Sequence, residues 1–398
     1  MMCTRWFGTR RIFSVLAAPL VIIGSLIGNP GAASASTCFN WTGVQPPSPG
    51  TVDNRLSGVA VLSSCNAWAV GAYFNDQNED FGQTLIEHWN GSSWKQVPSP
   101  SPGGTAETNI LFGVDAVSRA NIWAVGRYSH SGADLTLIEH WNGTAWKQVP
   151  SPNVTSANIL YSVTAVSAAD VWAVGGYFNS ADVEQTLIEH WNGTTWKRVP
   201  SPNPGGSSNG NFLFGVTAVS SANVWAVGGY VIGTAFVHKT LILHWNGTAW
   251  KQVPSPNPSS TDNILNGAGA SSASNAWAVG EYFNSAGVIQ TLTEHWNGTA
   301  WKQVPSPNPG GSHTNLLNGV TATSAANAWA VGYYFNGTAN RTLIEHWNGT
   351  AWKQVASPNP SSSDNILYGV GASSASNLWA VGSSFNGTIG QALALHCC

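Results

Sequence analysis

The sequence predicts an all-β protein, a seven-bladed β-propeller whose blades are four-stranded antiparallel sheets. The tetrapeptide Trp-Ala-Val-Gly occurs seven times, at intervals close to 52 residues. Each repeat contains four short runs of β-branched or aromatic residues bounded by Gly, Pro, Asn or Ser, which is typical of strands. No stretch free of Gly and Pro shows helical periodicity. Four short strands in each of seven equal repeats are the pattern of propeller blades.

Composition supports this prediction. The chain has 398 residues, with 43 Gly and 21 Trp but only 8% charged residues, against roughly 25% in average domains. So many aromatic residues exclude a disordered chain, and so few Lys, Glu and Arg exclude a coiled coil. Most Trp residues come three to a repeat. We expect them to pack between neighbouring blades, where each ring buries on the order of 150–250 Å².

The N-terminal segment, residues 1–35, is predicted to be a secretion signal. Arg5, Arg10 and Arg11 precede an uncharged apolar stretch, and Ala33-Ser34-Ala35 supplies small residues at the expected cleavage site. The alternative is an uncleaved anchor. Residues 36–398 would then be one secreted, extracellular propeller with no membrane span, expected to be a monomer. Losing three Arg changes its formal charge from −3 to −6, which argues against a nucleic-acid partner.

Within a repeat, the strands are named a to d in chain order. Six repeats place an Asn-Gly pair between two Trp, and this pair predicts the tight turn that joins strands c and d. These pairs begin at Asn90, Asn142, Asn192, Asn246, Asn297 and Asn348. All six also match the glycosylation sequon, but the hairpin turn is a sufficient reason for them.

The seventh repeat lacks strand d. It ends at Cys397-Cys398, where other repeats continue into Trp-Asn-Gly, while Trp41 and the segment Val44 to Pro49 resemble a displaced strand d. We therefore predict that the N-terminal strand completes blade seven and removes an open sheet edge.

Four cysteines remain after the signal: Cys38, Cys65, Cys397 and Cys398. An even number in an oxidising compartment predicts two disulfides. Cys38 is expected to pair with Cys397 or Cys398 across the closure, and Cys65 with the remaining C-terminal cysteine.

The repeats resemble kelch-type and Asp-box-type propeller repeats over most of residues 38–398. The resemblance rests on the Gly-Val strand, the Trp-Ala-Val-Gly strand and the Asn-Gly turn before a Trp; Asn90 and its equivalents stand where the Asp-box has Asp. Such families include galactose oxidase and sialidases. The chain has no Cys placed for the Cys–Tyr copper site of that oxidase, and too few inner Arg for a sialidase. The resemblance therefore implies a secreted bacterial propeller without these catalytic residues.

The face of the disc that carries the b–c and d–a loops is the predicted functional face, because these loops differ between repeats whereas the a–b and c–d turns barely change. Two sets of candidate ligand-binding residues are expected there. An Asn precedes strand a in every repeat: Asn54, Asn109, Asn158, Asn211, Asn263, Asn315 and Asn365. A Tyr-Phe-Asn sequence ends strand b in four repeats, with Tyr73, Tyr177, Tyr282 and Tyr334. Amides beside aromatic rings suit sugars, but a residue present in every blade also suits a structural role.

Two further sets are candidates for metal binding. One His per strand c would be too far from its neighbours to share an ion, so each is expected to make a hydrogen bond within its blade: His88, His140, His190, His244, His295, His346 and His396. Asp53, Asp262 and Asp364 adjoin the Asn positions and are weak candidates for a structural Ca²⁺ at the channel. No other cofactor is expected.

Three functions remain open. The first is a non-catalytic binding propeller that recognises a glycan or another extracellular molecule, with seven similar subsites acting together. The second is a carbohydrate-active lyase, hydrolase or oxidase at the channel mouth, for which the unrepeated polar residues Glu107, His130, His238 and His313 are the candidates. The third is a disc for protein–protein interaction. Repeats this similar offer little of the local asymmetry that catalysis needs.

Overall fold

The computed structural model describes residues 40–76, 81–233 and 237–398. These residues form seven four-stranded antiparallel sheets, and the strands a of all seven line one central channel. The prediction of an all-β, seven-bladed propeller is confirmed.

The blades follow one another along the chain. β1 (Trp41–Val44) comes first and belongs to the last blade. Blade 1 contains β2 (Asp53–Ser63), β3 (Asn66–Phe74), β4 (Gln83–Trp89) and β5 (Trp94–Gln96). Blade 2 contains β6 (Asn109–Ser118), β7 (Asn121–His130), β8 (Ala133–Trp141) and β9 (Trp146–Gln148). Blade 3 contains β10 (Asn158–Ser167), β11 (Asp170–Phe178), β12 (Glu184–Trp191) and β13 (Trp196–Arg198).

The remaining blades repeat this order. Blade 4 contains β14 (Asn211–Ser220), β15 (Asn223–Ile232), β16 (Val237–Trp245) and β17 (Trp250–Gln252). Blade 5 contains β18 (Asn263–Ser272), β19 (Asn275–Phe283), β20 (Ile289–Trp296) and β21 (Trp301–Gln303). Blade 6 contains β22 (Asn315–Ser324), β23 (Asn327–Phe335), β24 (Asn340–Trp347) and β25 (Trp352–Val355). Blade 7 contains β26 (Asn365–Ser374), β27 (Asn377–Phe385) and β28 (Gly390–Cys397).

The ring closes through its first strand. β1 pairs antiparallel with β28, with Trp41 opposite Cys397 and Val44 opposite Ala394. Trp41 packs edge-on against Trp329 of blade 6, with ring centroids 5.7 Å apart. The predicted completion of blade 7 by the N-terminal strand is confirmed, and this pairing covers the edge that β28 would otherwise expose.

The core lies between neighbouring blades and is built from Trp. Trp123 of blade 2 is 1% exposed and contacts Trp191 and Trp196 of blade 3, with ring centroids 5.0 and 5.4 Å away. Equivalent contacts join Trp68 to Trp141 and Trp146. Most of the Trp content is therefore packing material, as the composition predicted.

The His of strand c makes the fixed contact that was expected. In blade 2, His140 stacks on Trp123 with centroids 4.2 Å apart, and its Nε2 lies 2.9 Å from Asn121 Oδ1 of the a–b turn. The other blades repeat the arrangement, except that His190 contacts Asp170 instead of an Asn, at 2.8 Å. The prediction of a hydrogen bond within each blade is confirmed.

The Asn-Gly pairs form the predicted c–d turns. In blade 2, Asn142 Oδ1 accepts hydrogen bonds from the backbone N–H groups of Thr144 and Ala145, both at 3.0 Å. Gly143 has φ of 94°, and the five equivalent glycines also lie in this left-handed region. Such a backbone strains any residue with a Cβ, so the turn explains these pairs.

The cysteine prediction requires correction. Cys65 and Cys398 are thiols, and Cys65 Sγ lies 3.7 Å from Ser63 Oγ. Pairing of Cys65 with either C-terminal cysteine is therefore wrong, as is pairing of Cys38 with Cys398, and no disulfide joins two residues within the described ranges. Cys397 is buried and in the disulfide-bonded state, but its expected partner, Cys38, lies outside the described residues. The Cys38–Cys397 pairing stays a prediction.

The predicted signal, residues 1–35, also lies outside the described residues. In the part of the chain that the structure covers, no helix is long and apolar enough to span a bilayer.

Candidate functional site

Exposed apolar side chains mark one face of the disc. Among the described residues, five large hydrophobic side chains are exposed, and four of them lie at the b–c side: Phe81, Phe178, Ile232 and Phe385. Val117 is the fifth and lies beside an a–b turn. These four side chains come from four different blades and lie on the side of the disc that loop variation predicts to be the functional face.

The central channel is a cavity of about 320 Å³. Strand a of each blade contributes four or five lining residues, which are mostly Gly, Ala, Val and Thr. One lining position, three residues after the conserved Asn that begins strand a, differs strongly between blades. We call this set the channel ring: Ser57, Phe112, Tyr161, Phe214, Asn266, Asn318 and Tyr368.

The channel ring divides into an aromatic part and an amide part. Phe112, Tyr161 and Phe214 come from consecutive blades, with ring centroids 5.4 and 5.1 Å apart. Asn266 and Asn318 follow in the next two blades, and each donates its Nδ2 to a backbone carbonyl of the following blade, at 3.1 and 2.7 Å. Within the described residues, their Oδ1 atoms and the Tyr161 hydroxyl accept or donate no hydrogen bond. The channel therefore offers apolar ring faces beside unused polar atoms.

Two clefts between blades open beside the ring. One is lined by Arg127, Asp134, Tyr161 and Phe178, and Arg127 Nη1 lies 2.7 Å from Asp134 Oδ2. The other repeats the same combination between blades 7 and 1.

In this second cleft, an ion pair of Arg55 with Asp53 lies near Tyr368 and Phe385. Each cleft thus places a Tyr of the channel ring beside an exposed Phe and an Arg–Asp ion pair.

Burial raises the pKa of four titratable groups, two of which, Tyr161 and Asp115, line the channel. Burial raises the pKa of Glu184 to about 7, and burial, followed by the charge of Asp262, raises the pKa of Glu281 to about 7. Burial, and then the charge of Glu184, raises the pKa of Tyr161 to about 12. Asp115 accepts hydrogen bonds from two backbone N–H groups, both at 2.8 Å, while burial raises its pKa. In all four groups, burial disfavours the charged form.

The seven predicted ligand-binding Asn residues do not face the channel. Each is at most 2% exposed. Asn54 accepts from Gly50 N–H at 2.6 Å and donates to the Gly50 and Gly390 carbonyls at 3.0 and 2.8 Å. The others bind their own d–a loops in the same manner, as Asn211 does to the segment 205–209. Their geometry is that of a loop clamp, the structural alternative that the sequence left open.

The predicted Tyr residues lie away from the channel, towards the rim. Tyr73 packs at the edge of a blade core and lines a groove with Gln96 and Pro98 of its own blade. Tyr177 is covered by Arg198, whose guanidinium carbon lies 4.8 Å from the ring centroid. Tyr282 and Tyr334 occupy the same register, opposite the clamp residues Asn263 and Asn315.

The metal candidates are not gathered into one site. Asp53 and Asp364 line the cleft between blades 7 and 1, whereas Asp262 Oδ1 lies 2.5 Å from His238 Nδ1 at the junction of blades 4 and 5. No group of three His, Cys, Asp or Glu side chains in the described ranges is arranged to hold a metal ion.

The enzyme candidates are also dispersed. Glu107 Oε1 accepts a hydrogen bond from Ser131 N–H at 3.1 Å, beside His130 in blade 2. His313 packs edge-on against Phe335 in blade 6, with centroids 5.5 Å apart. In the described part of the chain, no hydrogen bond, ion pair or ring contact joins these residues or His238 to one another, so the structure does not assemble them into one catalytic group.

The channel ring was missed from the sequence, although a signal was present. Phe112, Tyr161 and Asn318 stand at a position that changes chemical class between repeats while its neighbours stay constant. The blades are otherwise nearly alike, so the lining position that differs between them is the one that makes the channel asymmetric.

Comparison with known proteins supports the fold. No family model matches the chain, and no curated protein matches it in sequence. Among solved structures, YCF48 bound to a D1 peptide aligns over 96% of this chain and 99% of its own, at 13% identity and TM-score 0.53. A family PL25 ulvan lyase bound to a GlcA–Rha3S ligand aligns over 89% and 96%, at 11% identity and TM-score 0.52.

A GH74 xyloglucanase from Xanthomonas campestris aligns over 87% of this chain and 54% of its own, at 12% identity and TM-score 0.55. These proteins include a peptide-binding propeller and carbohydrate-active enzymes. At such low identity they support the propeller architecture alone.

Proposed function

We propose that this protein is a secreted, non-catalytic binding propeller that recognises an uncharged glycan segment at the b–c/d–a face, in the mouth of the channel. The observation that carries the proposal is the channel ring. Phe112, Tyr161 and Phe214 form an aromatic arc, and Asn266 and Asn318 lie beside it in a cavity of about 320 Å³. Sugar rings present C–H faces that pack on aromatic rings and hydroxyl groups that bond to amides and phenols.

The surroundings favour a neutral ligand. The Arg residues of the two flanking clefts are already paired with Asp53 and Asp134, and the nearby carboxyl groups of Glu184 and Glu281 have pKa values raised to about 7 by burial. An anionic ligand could form an ion pair with one of these Arg residues only by breaking that residue's existing pair with Asp. The similarity to a propeller that acts on xyloglucan makes a polysaccharide segment the natural class to test.

The test is a glycan array with the chain from residue 36 onward, followed by titration calorimetry with each neutral oligosaccharide that binds. The variant Phe112→Asn/Phe214→Asn gives blades 2 and 4 the residue that blades 5 and 6 carry, so the backbone should tolerate it. Loss of both ring faces should weaken binding at least 10-fold, the size expected when about 1.4 kcal/mol of stacking is removed.

The matched control is Val117→Ala, which alters an exposed apolar residue on the opposite face and should leave binding unchanged. The proposal fails if no neutral glycan binds, or if the double variant binds as tightly as the original chain.

A further inference from the structure

A second kind of cavity recurs on the outer part of the blades. In blade 4 a groove of about 340 Å³ is lined by Tyr230, Thr240, Gln252, Pro254, Ser255 and Asn257. Blade 1 has the same groove, of about 300 Å³, with Tyr73, Thr84 and Gln96 at matching positions. We call these cavities rim grooves. Their volumes lie near the lower end of the range for small-molecule sites, and this size suits one or two sugar units.

The polar floor of a rim groove is fixed by hydrogen bonds. In blade 4, the Thr240 hydroxyl lies 2.6 Å from Ser255 Oγ, and Asn257 Oδ1 accepts from Thr240 N–H at 2.9 Å. Tyr230 and Gln252 form the walls, and neither the phenol hydroxyl nor the side-chain amide bonds to another described residue. The groove thus combines a rigid floor with an aromatic wall and two unused polar groups.

In blade 3, a side chain of the protein itself fills the groove. There Arg198 replaces the Gln of the other grooves, its guanidinium carbon lies 4.8 Å from the Tyr177 ring centroid, and its Nη2 donates to the Tyr177 hydroxyl at 3.1 Å. This side chain shows that the groove's Tyr accepts a flat group on its face and a hydrogen bond at its hydroxyl together. In blade 3, both groups that a ligand would use are already engaged.

Blade 7 lacks both wall residues of the groove. Ser384 stands where other blades have Tyr, opposite Asn365, and Gly43 stands at the position of the groove Gln, opposite Leu395. The five blades that keep both an unengaged Tyr and a Gln are therefore blades 1, 2, 4, 5 and 6. Their Tyr residues are Tyr73, Tyr128, Tyr230, Tyr282 and Tyr334.

We propose that blades 2, 5 and 6, which carry the same Tyr, Thr and Gln residues, share the rim groove of blades 1 and 4, and that these five grooves are equivalent weak subsites for single units of a neutral polysaccharide, which the disc binds by avidity along its rim. Blade 3 is closed by Arg198 and blade 7 lacks the site. The ligand class follows from the walls: a Tyr face for the sugar C–H surface, and hydroxyl and amide groups for its hydroxyls, with no charge in the groove. Several weak contacts on one polymer gain affinity through effective concentration.

The inference shares its ligand class with the proposed function, but it concerns a different part of the disc. The chain itself supplies the substitution for the test, because Arg198 shows which residue closes a groove. Gln96, Gln148, Gln252, Gln303 and Gln354 are each changed to Arg in one variant.

The matched control places five Arg in the exposed c–d turns of the same blades, on the opposite face, at Ser93, Ala145, Ala249, Ala300 and Ala351. It adds the same charge and leaves the grooves open.

Binding is measured by biolayer interferometry on immobilised neutral polysaccharides, namely cellulose-derived β-glucan, mannan and xylan. Calorimetry with the corresponding trisaccharides follows. Closing all five grooves should weaken polymer binding at least 10-fold and leave trisaccharide binding unchanged, while the control variant binds as the original chain does. Arg198→Gln should open a sixth groove and raise polymer affinity about 2-fold, as one more equivalent subsite would.

The inference is overturned if the original chain binds none of these polymers, or if the five-groove variant and its control bind alike. Failure of the channel proposal has a different result. In that case Phe112→Asn/Phe214→Asn changes neither polymer nor trisaccharide binding, while the groove variants still differ. A five-groove variant that does not fold leaves Arg198→Gln as the deciding measurement, and an unchanged polymer affinity in that variant overturns the inference.

Discussion

Five buried glutamates are the most unusual single residues of this protein. They occupy the same position of strand c in blades 1, 2, 3, 5 and 6, are 0% exposed, and have no hydrogen-bond partner for either carboxyl oxygen among the described residues: Glu87, Glu139, Glu189, Glu294 and Glu345. Blades 4 and 7 carry Leu243 and Leu395 instead. A charged carboxylate in such a place is costly, so these side chains are held neutral.

The energetic consequence is a dependence of stability on pH. Burial raises the pKa of Glu87 from 4.5 to about 9, and that of Glu189 to about 8. An acid with a raised folded-state pKa contributes stability that is full below its unfolded pKa and is lost as the pH rises through the folded value. The free energy of unfolding should therefore fall between about pH 4.5 and pH 9.

Glu87→Leu, which installs the residue of blades 4 and 7, is predicted to raise stability in this range. The gain should reach about 1–3 kcal/mol at pH 9, because the unfolded chain no longer ionises a group that the fold keeps neutral. It should shrink towards pH 5. Denaturant unfolding of both chains at several pH values measures it.

Comparing Glu87→Leu with the original chain above pH 7 avoids the titration of the strand c His residues, whose effect on stability has the opposite sign to that of the buried Glu residues. Burial lowers the pKa of His88 and His140, so their contribution is lost only as the pH falls below about 6.5. Asp182→Asn, at an exposed turn, is the control and should leave the free energy of unfolding nearly unchanged. Equal pH profiles for Glu87→Leu and the original chain would contradict the prediction.

At the scale of elements, the important unit is the inner hairpin of strands a and b. Its Asn clamp, for example Asn211 on the segment 205–209, fixes the d–a loop, and this leaves the varied ring residue Phe214 to line the channel. The Asn at the start of strand a therefore fixes the loop, and the residue three positions later lines the channel, where it can contact a ligand. The sequence shows both, but only their different burial separates the two roles.

The closing strand β1 is predicted to be the weakest strand of the disc. Trp41 and Trp94 are equivalent strand d residues, both nearly buried. A tight turn ties β5 to its blade, whereas no turn joins β1 to β28, and β1 is held by its pairing with β28 and by the packing of Trp41 against Trp329. Trp41→Ala should therefore release β1 and expose the edge of β28. Trp94→Ala should leave β5 tethered to β4.

Hydrogen exchange measures this difference. Amide protection in residues 390–397 should fall at least 10-fold in Trp41→Ala, and protection in residues 83–89 should fall less in Trp94→Ala. Equal losses in the two variants would show that β1 is anchored in some other way.

At the scale of the whole molecule, stability depends on joining the two ends of a ring. Cys397 is buried opposite Trp41, so a bond from Cys38 would lie next to the closing strand. Cys38→Ser is predicted to lower the free energy of unfolding by about 4 kcal/mol, because the bond closes a loop of roughly 360 residues. Thermal unfolding without reductant measures the change.

Cys65→Ser is the control for this prediction, since Cys65 is a thiol, and it should leave the unfolding temperature nearly unchanged. If Cys38→Ser unfolds at the temperature of the original chain, Cys38 is not the residue that closes the ring.

The sequence by itself determined the number of blades, the four strands of each, the Asn-Gly turns, the hydrogen bond of each strand c His within its blade and the closure by β1. These features depend on sequence patterns within one repeat, and the same patterns recur from repeat to repeat. The displaced strand beginning at Trp41 was visible because six intact copies show what the seventh lacks.

Only the tertiary structure decided which repeated residues are buried and which line a cavity. Asn54 and Tyr73 stand opposite each other in one hairpin, yet one clamps a loop and the other walls a rim groove. The channel ring collects one residue from each of seven blades that are about 50 positions apart in the chain. Such sites arise from packing between blades, and the sequence of one repeat does not contain that packing.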